Sequence, residues 1–596
     1  MNSLPSNGCI QPSPSPDGRT RLYASPPRLS EPLRVLLLVP EMVPAWIATF
    51  IGQAREQDWL DVQVLAISGT SVPRVVATPL DMRGLLAFER RRRLKSTALE
   101  LVDITRGDKA VSSATRLQAE SPAIELRLAQ VRPDLVLTLG PLPCSKRLAD
   151  LTPWGCWNID ASLLDPVAAG LSLLAPVLQD DAATPIELEL QVHRSWRAPI
   201  SLSASYGATH FGSFTQQRER AFLKLPMLLL RTMRRIAANE LDVPRHHVAE
   251  LRLKSSPVPG RMGAGARALA THLLRTALWQ LRKRRAVLPW VLVMRRDAEP
   301  LDPKAPEVRL PSVIAAKPGD YWADPCVVDA AGRALVFVEE VTPSGKGTVA
   351  CLELESGKVR RLGLAIEEPG HLSFPQVFQQ DGTWYMTLES SAQKRVSLYR
   401  ASDFPLGWRR VVDLVTDRFC LDPILHFHEG RWYLFATVSE NRNSTWDELF
   451  LFFSDELTGP FQPHPANPIL SDVRRARPAG RLFQYGSKLI RPSQDCASGY
   501  GSAVVFNEVL EMTPERYSEQ TMSRLKPYWS DSLVACHTYS AAAGVEFLDA
   551  RGYRLSSIPG SDRNAVDGGS AQRVPPIPAK AARETLAPVI PPKGAA

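Results

Sequence analysis

Three stretches decide the fold of the C-terminal half: WADPCVVDAAGRALVFVEE (322–340), HLSFPQVFQQDGTWYMTLES (371–390) and FCLDPILHFHEGRWYLFATVS (419–439). They align without gaps over their middles. Each has a proline (325, 375, 423), a β-rich run, a glycine turn (332, 382, 430) and a second run of large residues. The prolines are 50 and 48 residues apart. A period of that length built from short hairpins is the mark of propeller blades. Two weaker units follow, at 480–525 and 532–555, so five blades are expected over 287–555. Leu288–Arg295 (LPWVLVMR) precedes the first blade and is placed to pair with the last one, closing the ring and removing its open edge.

Outward from the repeats, the character changes. Residues 33–240 alternate apolar runs with helical stretches: Leu33–Pro40 (LRVLLLVP), a helix over Met42–Gln57, Val62–Ile67 (VQVLAI), helical character from Ala98–Ile104, and Pro133–Leu139. Strands alternating with helices imply an α/β domain with a parallel sheet. Residues 241–286 are expected as a basic helical connector. Leu225–Arg235 and Arg267–Arg285 carry apolar residues at helical spacing with Arg and Lys between them, which fits either a connecting layer with a solvated basic face or a surface for nucleic acid or anionic membrane, the first being favoured. The Arg90–Arg93 run reads as a solvated patch. GAGARA (263–268) imitates a dinucleotide fingerprint, but no strand precedes it. Both ends, 1–32 and 556–596, hold seven prolines each and no periodicity, and read as disordered.

Composition excludes several classes. Of 596 residues, 44% are hydrophobic and 22% charged, as in globular proteins. Net charge is +9, yet no basic nucleic-acid motif stands out. No apolar run reaches membrane-span length, and no signal peptide precedes the first strand. The eight cysteines are scattered, with no zinc spacing, and are expected to be reduced thiols. The location expected from this is cytoplasmic.

The start of each blade's inner strand faces the central funnel. Asp324 and Asp422 hold equivalent places in blades one and three, with Phe374 between them in blade two. Two carboxylates converging there suit acid/base work on a glycosidic bond, contacts to sugar hydroxyls, or a cation. An Asp-Pro turn is the bland alternative. Trp322 and Trp446 are candidates to stack on sugar rings, whereas Trp384 and Trp432, mid-strand, read as core. Gln494 and Asp495 are expected to line the same funnel.

The blade pattern resembles the five-bladed propellers of glycoside hydrolase family 43. Later motifs, SDELTGPFQPHPANPI (454–469), RRARPAGRLF (474–483), LIRPSQDC (489–496), YG (500–501) and HTYS (537–540), resemble the propeller of plant glucosamine inositolphosphorylceramide transferases and related bacterial proteins. The hydrolase resemblance implies Asp324 as general base and Asp422 as the carboxylate that tunes the acid. The acid's place, opening blade four, holds Arg477. An arginine does not protonate a leaving group at neutral pH, but it grips phosphate or carboxylate. Glu339, Glu340 and Glu389 are the substitutes considered, with Glu340 taken as the catalytic candidate. The resemblance also implies that His537 faces the funnel and takes a metal ion, calcium being the candidate.

VRPDLVLTLG (131–140) and GCWNIDASLLDPVAAG (155–170) are similar to the formyltransferase family, whose signature Asn-x-His-x-Ser-Leu-Leu is met by Asn158, Ser162, Leu163 and Leu164. The histidine's place holds Asp160. That histidine handles a proton and stabilises an oxyanion, and an ionised aspartate repels one. Use of 10-formyltetrahydrofolate is therefore not expected. The expected function is binding or processing of a glycan, sugar phosphate or glycolipid; a family-43 hydrolase, an amino-sugar N-formyltransferase and a non-catalytic scaffold are the alternatives.

Overall fold

A computed structural model describes residues 18–26, 31–70, Glu89, most of 97–254, a few isolated positions between 255 and 288, and 289–552 apart from 297–298, 310, 356, 441–442 and 531–532. The Arg90–Arg93 run, the 263–268 glycines, nearly all of Arg267–Arg285 and the C-terminal tail lie outside the described residues.

The C-terminal half is a five-bladed propeller. Blade one comprises Tyr321–Ala330, Arg333–Val341, Gly347–Glu355 and Lys358–Ile366; blade two Ser373–Gln380, Thr383–Glu389, Val396–Asp403 and Gly407–Val415. Blade three is built on Cys420–His428, Arg431–Val438 and Glu448–Ser454, and blade four on Phe483–Tyr485, Lys488–Asp495, Ala503–Met512 and Tyr517–Leu525. Blade five is composite: Val291–Arg295 and Ser312–Ile314 join Val545–Gly552 from the far end of the propeller. Val293 pairs with Leu548 at the centre of this seam, both fully buried.

The repeat seen in the sequence has one local cause at each end of the hairpin. Ala331-Gly332, Asp381-Gly382 and Glu429-Gly430 all have positive φ and connect directly paired strands, the two-residue turn whose twist matches the strands. At the other end Asp324, Phe374 and Asp422, each just before a proline, sit at φ 51, 49 and 48°, and the pairing register slips there in all three blades. A bulge of this kind re-aims one side chain. Here it points the residue before the proline into the funnel.

The N-terminal half holds an eight-stranded sheet. Its parallel part runs 115–118, 60–68, 33–40, 135–139, 156–159 and 248–253, and the strands Ala183–Val192 and Ile200–Ala208 add antiparallel at one edge. Several expectations are corrected. Leu101–Asp103 is a short strand paired with Met42–Pro44, because that pairing outweighs local helical preference. The helix expected over Met42–Gln57 is trimmed to Ala45–Arg55 by the same pairing. Val248–Leu253, within the expected basic connector, is an interior strand of the sheet, with alternate residues buried. Cys144 and Cys156 form a disulfide, whereas all cysteines were expected reduced; Cys326, Cys351, Cys420, Cys496 and Cys536 are free and buried.

The 24-residue helix Phe214–Ala237 joins the two halves. Ser213 caps it, and the Glu89 carboxylate accepts the N–H groups of Phe214 and Thr215, placing negative charge at the positive end. Its basic residues do not form a solvated or lipid-facing surface: Lys224 and Arg231 point into the propeller, while Arg234 and Arg235 donate to the Ala24 and Leu202 carbonyls. Lys224 Nζ lies 2.6 Å from Glu448 Oε1 and 3.0 Å from Asp447 Oδ2, and Arg231 Nη2 lies 2.6 Å from Glu448 Oε2. Ser205 and Ser471 hydroxyls complete the network. Burial alone would raise the Glu448 pKa, but Arg231 and Lys224 hold it below the usual carboxylate range. Residues 18–26, inside the stretch read as a disordered lead, strap the same junction: Tyr23 donates to Glu440 at 2.7 Å, and Asn467 donates to the Leu22 carbonyl. Among the described residues no helix is long and apolar enough to cross a membrane.

Candidate functional site

The funnel floor is two buried charge clusters under one aromatic roof. In the first, His537 from blade five lies between two carboxylates. Its Nε2 is 3.2 Å from Asp324 Oδ1, and its Nδ1 is 2.7 Å from Asp549 Oδ1. Asp549 also accepts the backbone N–H groups of His537, Thr538 and Asp324, and Asp324 Oδ2 accepts the Phe374 N–H at 3.1 Å. Burial opposes a charged imidazole, but Asp549 and Asp324 win and raise His537 to about 10. Burial pushes Asp324 up to about 6 against the pull of His537. Trp290 stacks on the imidazole at 4.0 Å between ring centroids.

In the second cluster, Arg477 grips both oxygens of Asp422 through Nε and Nη2. Gln494 Nε2 donates to Asp422 Oδ2 at 2.7 Å, and the Asp422 N–H donates to Glu389 Oε2 at 3.2 Å. Burial and then the Asp422 charge push the Glu389 carboxyl up to about 8, with Arg477 opposing. Glu389 therefore keeps its proton at pH 7. Tyr500 roofs both clusters: Arg477 lies 4.9 Å under its ring centre, and its ring is 5.1 Å from that of His537. Tyr500 and Trp446 are half-buried and pack on an apolar cluster of Val473, Cys496 and Ala497 that also takes in Ala183 of the α/β half, so that half lies at the funnel rim.

Of the expected site residues, Asp324, Asp422, Arg477, Gln494 and His537 meet here. Three do not. Successive strand residues face opposite ways: Glu339 is on the funnel side, beside the half-exposed His371 at 2.8 Å, while Glu340 is turned away and held by Trp322 Nε1 and the Arg361 guanidinium. Trp322, 2% exposed, is core between blades one and five. Asp495 is turned from Gln494 toward Arg524, 3.1 Å away. Asp549, Trp290 and Tyr500 were not singled out, and Glu389 only as one of three substitutes. The one available signal for Asp549 was a second acid, after Glu546, within the otherwise apolar run VEFLDA (545–550).

Asp324, His537 and Asp549 present ligand atoms within 4.8 Å of one another. Calcium takes six to eight oxygens. Here an imidazole bearing protons stands between the carboxylates, and their remaining oxygens accept backbone N–H groups. The residues do not fit calcium. Neither added calcium nor EDTA is expected to move the melting temperature; a rise with calcium that disappears in Asp549→Asn would overturn this.

In the α/β half, Asn158 and Asp160 lie at the carboxyl end of the strand Cys156–Ile159. Asn158 Oδ1 is 3.1 Å from the Thr138 hydroxyl, and the Asp160 N–H donates to the Leu251 carbonyl. Ser162 lies in the short helix Ala161–Leu164.

Fold and site together define a five-bladed propeller whose closed centre carries a paired-carboxylate funnel. Residues 308–527 match the family model described as glucosamine inositolphosphorylceramide transferase 1, N-terminal. The chain is 33% identical over 208 residues to glucosamine inositolphosphorylceramide transferase 1 of Oryza sativa subsp. japonica, covering 34% of this chain and 28% of that protein. It is 31% identical over 208 residues to the Arabidopsis thaliana protein of the same name, covering 34% and 27%. The chain thus spans under a third of the length of these plant relatives. Among solved structures, a thermostable family-43 glycoside hydrolase is similar at 13% identity and TM-score 0.29, over 35% of this chain and 76% of that one. A family 117 glycoside hydrolase from Zobellia galactanivorans is similar at 12% and 0.30, over 46% and 92%.

Proposed function

We propose that this chain is a carbohydrate-active protein of glycan or glycolipid synthesis or modification, and that the propeller funnel binds a sugar of its ligand. One observation carries the reading. The inner strands of blades one to three open with the same residue-before-proline device; two of those residues, Asp324 and Asp422, are charged, and with Arg477, which precedes Pro478 ahead of blade four, they meet His537 under an aromatic roof. Carboxylates that accept sugar hydroxyls beside an aromatic ring are the chemistry of carbohydrate recognition. The match of 308–527 to the transferase family's N-terminal region supports it. Arg477 is engaged by Asp422, so hydroxyl contacts rather than a phosphate grip on Arg477 are favoured.

A second reading, glycoside hydrolysis, is favoured by one feature. Glu389 retains a proton at neutral pH in the same funnel as Asp324, and hydrolysis needs an acid and a base together. In that case Glu389 stands where Glu340 was expected to serve.

The test is thermal shift of the full chain with sugar phosphates, nucleotide sugars, inositol glycans and 10-formyltetrahydrofolate. A ligand at about 100 times its Kd stabilises by about 2.7 kcal/mol. The expected result is a sugar-dependent shift that is lost in Asp324→Asn. A sugar that is also cleaved, with cleavage lost in Glu389→Gln, selects the hydrolase reading. A shift only with the folate, lost in Asn158→Ala, moves the chemistry to the α/β half and overturns the funnel assignment.

A further inference from the structure

The funnel floor does not open through the propeller. About four residues further along the inner strands, ~13 Å at strand rise, Arg481 forms a bar across the channel. Its Nη1 donates to the Val377 carbonyl of blade two at 2.7 Å and its Nη2 to the Val327 carbonyl of blade one at 3.3 Å. Beyond this bar, on the face opposite the carboxylates, lies a separate cavity of about 230 Å³.

Its lining differs from the funnel in charge. No Asp or Glu lines it, and Arg481 is its one arginine. Three buried arginines of the propeller and its junction are matched to acids: Arg231 to Glu448, Arg477 to Asp422 and Arg491 to Glu519. Arg481, half-buried, has no carboxylate partner among the described residues. The local field is positive: burial, then His428 and Arg481, push the neighbouring His426 imidazole down to about 4, so it is neutral at pH 7. The other wall is aromatic. Phe427 is 47% exposed, with its ring centre 5.1 Å from that of Trp432. The volume is below the ~300–1,000 Å³ of sites that enclose drug-sized molecules, which sets the occupant at about one ring.

We propose that this cavity is a second binding site, distinct from the funnel, for a single-ring sugar carrying one acidic group, a carboxylate or a phosphate. Arg481 supplies the missing counter-charge, the neutral His426 and Ser540 supply hydrogen bonds, and Phe427 receives the apolar face of the ring.

Calorimetric titration of the full chain with glucuronic acid, glucose 1-phosphate, glucose and inorganic phosphate tests this. At least one of the two acidic sugars is expected to bind about tenfold or more tighter than glucose, since a charge-assisted contact exceeds a neutral one by that order. Which acid prevails separates carboxylate from phosphate. Arg481→Gln removes the preference. Phe427→Ala, an exposed position that leaves the channel bar intact, weakens binding severalfold and keeps the test valid if Arg481→Gln fails to fold. Asp324→Asn leaves this binding unchanged even if it abolishes sugar binding in the funnel. Binding of neither acid, equal binding of glucose, binding of inorganic phosphate as tight as the sugar phosphate, or indifference to Phe427→Ala would overturn the proposal.

Discussion

Glu448→Ala is expected to destabilise the folded chain by about 3–5 kcal/mol, the cost of leaving buried charge without its partner. Glu448 lies at the junction of the two halves with its side chain 2% exposed, and it answers both Lys224 and Arg231. Removing it leaves Asp447 alone against two buried cations. Asp447 is a poor substitute, because burial holds its carboxyl above the usual range. Urea unfolding measures the loss, and limited proteolysis shows whether the halves separate first. Adding Lys224→Met to Glu448→Ala is expected to recover part of it, since one orphaned charge goes with the change. A loss below about 1 kcal/mol, the level of an exposed pair, would show that water enters the junction.

The second large effect is on pH dependence. The folded state raises His537 from 6.5 to about 10 and Glu389 from 4.5 to about 8. A raised histidine contributes stability that is complete below its unfolded value and lost as pH climbs through the folded one. A raised carboxyl slopes the same way, because the folded state holds a proton that the unfolded chain has released. The stability of the propeller is therefore expected to fall steadily from about pH 4.5, where Glu389 starts to contribute to the slope, to about pH 10, with no compensating rise from this site. His537→Gln should flatten most of the slope that remains above about pH 9, by which point Glu389 has largely titrated. An unchanged slope in that variant would remove His537 from its place as the shared cation of Asp324 and Asp549.

The blades were legible because each repeats a small set of strong local signals. An X-Gly turn fixes the hairpin and a residue-Pro step fixes the bulge, and both survive as spacing. Asp324, Asp422 and Arg477 came with them, since each precedes a proline. Asp549 has no such marker. It lies mid-strand among Val545, Phe547 and Leu548, and its role appears only when the ring closes and brings it under His537. Glu339 and Glu340 show the opposite limit: adjacent in sequence, they differ only in strand parity, and parity was not assigned. The buried helix was misread for a related reason. Lys224 and Arg231 look like a solvated face until Asp447 and Glu448, more than 200 residues away, are set against them. Leu101–Asp103 and Val248–Leu253 owe their strand state to distant partners in the same way.

The seam in blade five sets a timetable for synthesis. Val291–Arg295 leaves the ribosome about 250 residues ahead of Val545–Gly552, the strand it pairs with. At ~5–20 residues per second, it waits ~12–50 s. During that interval the nascent chain carries an apolar strand with an open edge beside four blades that are forming in order, a state prone to pairing with neighbouring chains. Any chain terminated before residue 545 is fixed in that state, so premature termination near the end of this sequence yields an unclosed ring rather than a slightly shortened one.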